Sequence, residues 1–243
     1  MNTESETIPQ SHNPFSLFLN IWTSPVSAFV ELKPKPRLWY PLLAIIILQI
    51  AVTVYYSMSA DFDWVLDQTL SASGREFTPE QREAMERMQG GMGANISAIA
   101  GSIGILIVVP LIFSILAGYY TIISSFTADG IKFGQWFGLL CWSSTPMLFA
   151  ALASLVSIFL NSNGQIMQNQ LNPLTLNNLV FHYKFGEPGT TFLSAIDLTM
   201  LWSVALNVIG YKTWTGKSTP SAAAIACAPY LVIYGVFAFF SFG

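Results

Sequence analysis

Long uninterrupted apolar runs are the feature that most limits how this chain can fold. Four runs are long enough to cross about 30 Å of hydrocarbon as helices: residues 39 to 58, 96 to 123, 137 to 160 and 222 to 242. A fifth run, residues 191 to 211, is also long enough but contains Asp197. None of the runs alternates polar and apolar residues as barrel strands do. The sequence therefore predicts an all-α integral membrane protein with five transmembrane helices.

Composition supports this class. The 243 residues are 53% hydrophobic and 9% charged, whereas about 25% of residues are charged in soluble domains. Residues 1 to 13 are polar and carry Glu4 and Glu6, so we expect no signal peptide and an uncleaved first span. We expect no nucleic-acid partner.

Basic residues predict the orientation of the spans. Six fall on the side of the N-terminus: Lys33, Lys35, Arg37, Lys132, Lys212 and Lys217. Four fall on the opposite side: Arg75, Arg82, Arg87 and Lys184. Because Lys and Arg accumulate on the cytoplasmic side, we expect a cytoplasmic N-terminus and an external C-terminus.

Residues 1 to 36 are predicted to form a cytoplasmic segment, and residues 37 to 243 the membrane domain. Within the segment, Pro14 and Pro25 follow the capping residues Asn13 and Ser24, which predicts two short helices. Apolar residues recur at helical spacing: Phe15, Phe18, Leu19, Trp22, Val26 and Phe29. This pattern predicts interfacial amphipathic helices anchored by Phe18, Trp22 and Phe29. The alternative is a docking helix for a partner protein.

The external loop, residues 59 to 95, is predicted to be helical. Thr78, Pro79 and Gln81 form a capping-box helix start. Asp63 and Asp67 lie four residues apart, as in a divalent-cation site. Arginines are interleaved with the loop's acids, however, as on a solvated helix, and we favour that interpretation.

Within the spans, Pro110 and Pro146 are predicted to kink their helices. Small residues predict close helix packing at two pairs: Ala100 with Gly104, and Gly134 with Gly138. Cys141 and Cys227 fall inside spans and are expected to be packing residues.

Asp197 is the polar residue that most needs an explanation, because an unpaired charge near the bilayer centre costs about 3 kcal/mol. One interpretation is structural: Ser194 and Asp197 have capping-box spacing, so a regular helix would begin at Ala195. The other makes Asp197 a cation- or proton-binding acid, assisted by Asn207 and Gln49. Asn207 lies ten residues away, about 15 Å along a helix, so these two side chains cannot share one ligand shell. We favour the cap.

No catalytic set is recognisable, and we predict no enzyme, metal site or cofactor. The sequence "TGKST", residues 215 to 219, resembles the end of a phosphate-binding loop. That motif needs a glycine at position 211, which is Tyr211 here.

Several stretches resemble the Yip-type (Ypt/Rab-interacting) membrane proteins, in their bacterial branch. They are "WTSPVSAFVELKPKPRLWYPLL", "TADGIKFGQWFGLLCWSSTPMLFAAL" and "DLTMLWSVALNVIGYKTWTGKSTPSAAAIACAPYLV". The resemblance covers about residues 20 to 240 and implies a five-span helical domain with a cytoplasmic N-terminus, in a bacterial cytoplasmic membrane. The link of eukaryotic members to Rab GTPases does not carry over, so the resemblance leaves the activity open.

Two functions are consistent with these features. The leading hypothesis is a non-enzymatic scaffold or organiser of membrane protein assemblies, with membrane lipids, a protein partner and a second copy of the chain as candidate partners. The alternative is a small cation- or proton-coupled transporter or channel that uses Asp197, the helix kinks and the acidic loop.

Overall fold

The computed structural model describes residues 13 to 242, with the backbone alone described for residues 88 to 92. Ten α-helices follow one another in this part of the chain: α1 Pro14–Thr23, α2 Pro25–Leu32, α3 Trp39–Ser59, α4 Phe62–Ala72, α5 Pro79–Thr127, α6 Phe133–Ser143, α7 Met147–Leu160, α8 Thr190–Ser194, α9 Leu198–Thr215 and α10 Thr219–Phe242. The described residues form no strand, only one isolated antiparallel bridge between Thr175 and Asp197. The predicted all-α class is confirmed for these residues.

Three of the described helices are long and apolar enough to cross a membrane: Trp39–Ser59, Gly93–Thr127 and Thr219–Phe242. The pair α6 and α7 adds a fourth if the two helices cross as one bent span. Three or four candidate spans therefore make this a multi-pass membrane protein.

The observed helices differ most from the predicted runs at the start of α5 and within the run 191 to 211. Helix α5 begins at Pro79, far before residue 96, because it includes a helix that precedes the span. The two parts meet at Gly93, whose φ of 55° and ψ of 160° break the helical backbone. The predicted run 191 to 211 is divided into α8 and α9 by residues 195 to 197. The first 12 residues of the predicted cytoplasmic segment lie outside the described residues.

The chain divides into two compact units. Unit 1 contains the described residues 13 to 42, 113 to 145 and 203 to 228. Unit 2 contains residues 43 to 112, 146 to 202 and 229 to 242.

Helices α1 and α2 pack into the core of unit 1. They begin at Pro14 and Pro25 as the sequence predicts, and the Asn13 side chain accepts a hydrogen bond of 3.0 Å from the Phe15 backbone N–H. Leu17 and Ile21, one helical turn apart, are fully buried. Three tryptophans of unit 1 donate indole N–H bonds: Trp22 to Thr145 Oγ1, Trp142 to the Pro36 carbonyl and Trp214 to the Phe29 carbonyl. Indoles with hydrogen-bond partners give this core a specific arrangement.

The core of unit 2 joins α3, α7 and the ordered connection between α7 and α8. Its buried members are Val52, Ala151, Ile158, Ile166 and Leu171. The Tyr56 hydroxyl donates 3.2 Å to the Ile166 carbonyl. The Asp61 backbone N–H donates 3.0 Å to the Gly164 carbonyl. These bonds hold the connection against the end of α3, so it is a structured part of the unit.

Candidate functional site

Asp197 lies at the N-terminus of α9 and caps it. Its Oδ1 accepts hydrogen bonds from the Met200 backbone N–H at 2.8 Å and from the Thr199 hydroxyl at 2.6 Å. Its backbone carbonyl accepts the first bond of the helix, 3.1 Å from the Leu201 N–H. A carboxylate in this position satisfies a backbone donor that has no partner within the helix and lies at the positive end of the helix dipole.

The second carboxylate oxygen contacts the connection between α7 and α8. Asn172 Nδ2 donates 2.8 Å to Asp197 Oδ2. The Asn172 side chain is oriented by its own Oδ1, which accepts 3.0 Å from the Leu174 N–H. Beside it, the Leu176 N–H donates to the Ile196 carbonyl at 2.8 Å, and the Leu198 N–H donates to the Leu174 carbonyl at 3.2 Å. Asp197 therefore both starts α9 and holds residues 172 to 176 against it.

The geometry of this cap differs from the predicted one. We expected a helix from Ala195 in which Asp197 supports a cap at Ser194. Regular helix begins instead at Leu198, and Asp197 is itself the capping residue. The backbone bridge between Thr175 and Asp197 explains the shift, because it pairs residues 196 and 197 with residues 174 to 176 and keeps these two residues out of the helix.

The arrangement at Asp197 does not favour the cation-binding hypothesis. Both carboxylate oxygens accept hydrogen bonds from protein groups, and a bound cation would have to displace them. Among the described residues, no group of three or more His, Cys, Asp or Glu side chains could hold a metal ion. Gln49, proposed as an assisting residue, is half-buried on α3.

Asn207 has partners of its own in the core of unit 1. Its Nδ2 donates 2.8 Å to the hydroxyl of Tyr120, which in turn donates 3.3 Å to the Ala226 carbonyl. Tyr120 packs beside Trp136 and Tyr211, and the last two rings stack with centroids 5.2 Å apart. Asn207 thus connects α9 with α5 through a buried polar bond, as polar residues do between membrane helices.

The predicted interfacial anchors contact other residues of unit 1. The Phe29 side chain is fully buried, and Trp22 is half-buried and bonded to Thr145. Phe18 is half-buried and packs on Trp142, with ring centroids 5.0 Å apart. The exposed apolar side chains of these helices are instead Phe15, Leu19, Val26 and Val30. Helical spacing alone did not indicate which of the two apolar faces is turned outward.

The predicted proline and small-residue positions have different environments. Residues 144 to 146, ending in Pro146, separate α6 from α7, whereas α5 continues through Pro110. A Cβ on Gly138 would lie 2.3 Å from Pro36 Cβ, so this glycine allows a close approach. No heavy atom lies within 4 Å of the corresponding position on Gly104, and Ala100 is exposed.

Ion pairs and helix caps hold the loop of residues 59 to 95. Thr78 and Gln81 make the predicted reciprocal capping box, with bonds of 3.0 and 3.3 Å. Arg82 pairs with Asp67, one of the two acids of the suggested cation site, and with Glu86 at 3.2 Å. The pKa of the Glu80 carboxyl lies below its usual value, because its own backbone N–H and the Thr78 hydroxyl donate hydrogen bonds to it. This is the pattern of a solvated helix.

A match between the sequence and a family model identifies the family of this chain. The model, described as the Yip1 domain, matches residues 19–240, which is nearly the whole chain. The chain belongs to the Yip1 family. No curated protein and no solved structure matches it.

Family membership confirms the resemblance to Yip-type proteins seen in the sequence. The Yip1 family is not a known enzyme family, and the apolar helices make this member an integral membrane protein. Two residues of the Yip1 domain that sequence reasoning missed are Asn172 and Tyr120. No local pattern could identify them, because each contacts a partner distant in the chain.

Proposed function

We propose that this Yip1-family protein is a scaffold that organises membrane protein assemblies, without catalysing a reaction. The observation that carries the proposal is the exposed apolar surface of its helices. In the apolar segment of each candidate span, the buried share is 28% in α3, 11% in α5 and 6% in α10. Much of α5 and α10 is therefore available to lipid or to other helices.

One surface on α5 has the features of a helix-packing site. Ala100 and Gly104 lie one turn apart, and the space beside Gly104 is open. Small residues at this spacing let two helix backbones approach closely in a membrane. Leu111 lies on the same side of the helix and is 52% exposed, since at about 100° per residue it falls between Ala100 and Gly104. We call Ala100, Gly104 and Leu111 the α5 surface.

Helices α1 and α2 offer a second surface. Their inner sides are packed in unit 1, whereas Phe15, Leu19, Val26 and Val30 are exposed. Because the inner side is packed, the outer side is held in a fixed orientation. A fixed apolar surface costs less entropy to bind than a flexible one.

Photo-cross-linking tests the scaffold proposal. A photoreactive amino acid replaces Leu111 in native membranes, and its products are analysed by mass spectrometry. We expect a discrete protein adduct. The matched control is Leu106, which is 51% exposed on the same helix but lies about 140° away around its axis. We expect this position to react with lipid.

Cross-linking at Leu111 and Leu106 distinguishes protein binding from lipid contact at this surface. Reaction of both positions with lipid alone would contradict a protein-binding role for this surface. Adducts only with a second copy of the chain would make the α5 surface a homo-oligomer interface instead.

We further propose five spans in a bacterial cytoplasmic membrane, with the N-terminus cytoplasmic and the C-terminus outside, as in the bacterial branch that the chain resembles. In this arrangement α8 and α9 together make the fourth crossing. The distribution of Lys and Arg supports it, with six on the proposed cytoplasmic side and four outside.

Cysteine accessibility distinguishes the span counts. We expect a membrane-impermeant maleimide to label Ser71→Cys and Ser162→Cys in intact cells, and Ser218→Cys only after permeabilisation. All three serines are exposed, and the wild-type protein gives the background of Cys141 and Cys227. Protection of Ser162→Cys would indicate three spans, because α6 to α9 would then lie on the cytoplasmic side. Labelling of Ser218→Cys in intact cells would indicate four.

A further inference from the structure

Unit 1 contains a cavity of about 470 Å³ where α9 turns into α10. Its apolar wall is formed by Val26 of α2 and by Val208 and Ile209 of α9. Its polar end is formed by Lys212, Lys217 and Thr219. The cavity therefore joins a hydrocarbon-like wall to a cationic end.

The cationic end is only partly neutralised. Lys217 Nζ lies 3.4 Å from Asp129 Oδ1, and the Asp129 side chain is 9% exposed. Lys212 Nζ donates 2.8 Å to the Thr219 hydroxyl, and no described carboxylate lies within 4.0 Å of it. Lys212 is exposed. One ammonium group at this cavity thus has an uncharged protein partner and can contact an anion.

The turn between the two helices leaves room for such an anion. Gly216 lines the cavity with a φ of 69°, and no heavy atom lies within 4 Å of where its Cβ would be. The positive end of the α10 dipole adds to the favourable potential for negative charge.

The apolar wall indicates what kind of anion fits. A small soluble anion gains no binding free energy from Val26, Val208 and Ile209. A phospholipid gains binding free energy from both ends of the cavity, because its phosphate faces the lysines while its chains lie along the apolar wall. Val26 is 56% exposed and Val30, one turn further on α2, is 46% exposed, so the apolar wall continues outside the cavity. Basic side chains next to membrane helices attract anionic lipids in this way.

We propose that this cavity binds the headgroup of an anionic phospholipid, with Lys212 and Lys217 contacting the phosphate and Val26, Val208 and Ile209 contacting the start of the chains. The proposed site lies at the α9–α10 turn and binds one class of lipid, the anionic phospholipids. It does not depend on the scaffold role.

Lipid titration of the full chain tests the proposal. The protein in neutral detergent is titrated with phosphatidylglycerol or with phosphatidylcholine of the same chains, and bound lipid is counted by native mass spectrometry. We expect tighter binding of phosphatidylglycerol. In Lys212→Gln that affinity should fall about fivefold, the loss expected for one basic residue at a membrane surface. Lys212→Arg should retain it.

Lys132→Gln is the matched control, because Lys132 is an exposed lysine of unit 1 that does not line the cavity. We expect its affinity to be unchanged. An equal loss in both glutamine variants would show diffuse surface charge and overturn the site, as would an unchanged Lys212→Gln. Displacement of the lipid by inorganic phosphate would overturn the lipid assignment in favour of a free-anion site. Unfolding temperatures measured without added lipid confirm that the variants are folded.

Discussion

Replacing Gly164 with alanine is expected to lower the free energy of unfolding by about 2 to 5 kcal/mol. Gly164 has a φ of 70°, and a left-handed backbone costs an L-residue about 1 to 2 kcal/mol. The added Cβ would also lie 2.3 Å from the Ser59 carbonyl oxygen and 2.9 Å from the Asp61 nitrogen. Both are backbone atoms that cannot rotate away, so overpacking adds about 1 to 3 kcal/mol.

The contacts of Gly164 explain why its substitution would also disturb α3 and α4. Its carbonyl accepts the hydrogen bond from the Asp61 N–H, and the Asp61 side chain caps α4 with a bond of 3.0 Å from the Trp64 N–H. Moving Gly164 away from Ser59 would therefore disturb the end of α3 and the start of α4 together.

Thermal unfolding in detergent measures this effect, with Gly74→Ala as the control. Gly74 lies in the same unit with a φ of 64°, but no heavy atom lies within 4 Å of its Cβ position. The control thus carries only the conformational cost, about 1 to 2 kcal/mol. Equal losses in the two variants would contradict the close approach of Gly164 to Ser59.

The features predicted correctly from the sequence depend on residues close together in the chain. The capping box at Thr78 and Gln81 and the helix starts at Pro14 and Pro25 each involve four residues or fewer. The apolar runs 39 to 58, 96 to 123 and 222 to 242 likewise predicted three long helices, because a backbone in lipid must satisfy its own hydrogen bonds.

The features missed depend on distant contacts. The sequence predicts Phe29 at the membrane interface, but its side chain is fully buried and its ring lies beside Gly210, 181 residues along the chain. The segment from 161 to 189 contains no long apolar run, and its order comes from contacts such as Tyr56 with Ile166. The start of α9 was predicted three residues early, since local spacing contains no information on the bridge to Thr175.

Replacing Asp197 with alanine is expected to lower the free energy of unfolding by about 3 kcal/mol. The variant loses the cap of α9, worth about 0.5 to 2 kcal/mol. It also loses the charge-assisted bond from Asn172, in a class worth about 1.5 to 3 kcal/mol. Because Oδ1 of an asparagine can still accept from the Met200 N–H, Asp197→Asn should lose less, about 1 kcal/mol. In this variant the new amide NH2 group would face the Asn172 NH2 group. Two donors cannot form a hydrogen bond with each other, which accounts for the remaining loss.

The double variant Asp197→Asn with Asn172→Asp separates a cap from an ion site. The bond between the two side chains is restored with donor and acceptor exchanged, and the carboxylate placed at position 172 can still accept from the Leu174 N–H, as the Asn172 side chain does. We therefore expect the double variant to be more stable than Asp197→Asn alone, with the coupling measured from the four unfolding temperatures as a double-mutant cycle. An acid that binds a cation or proton at position 197 would not be restored by moving the charge to position 172. Recovery of stability in the exchanged pair thus identifies the carboxylate as the group that joins residues 172 to 176 to the start of α9.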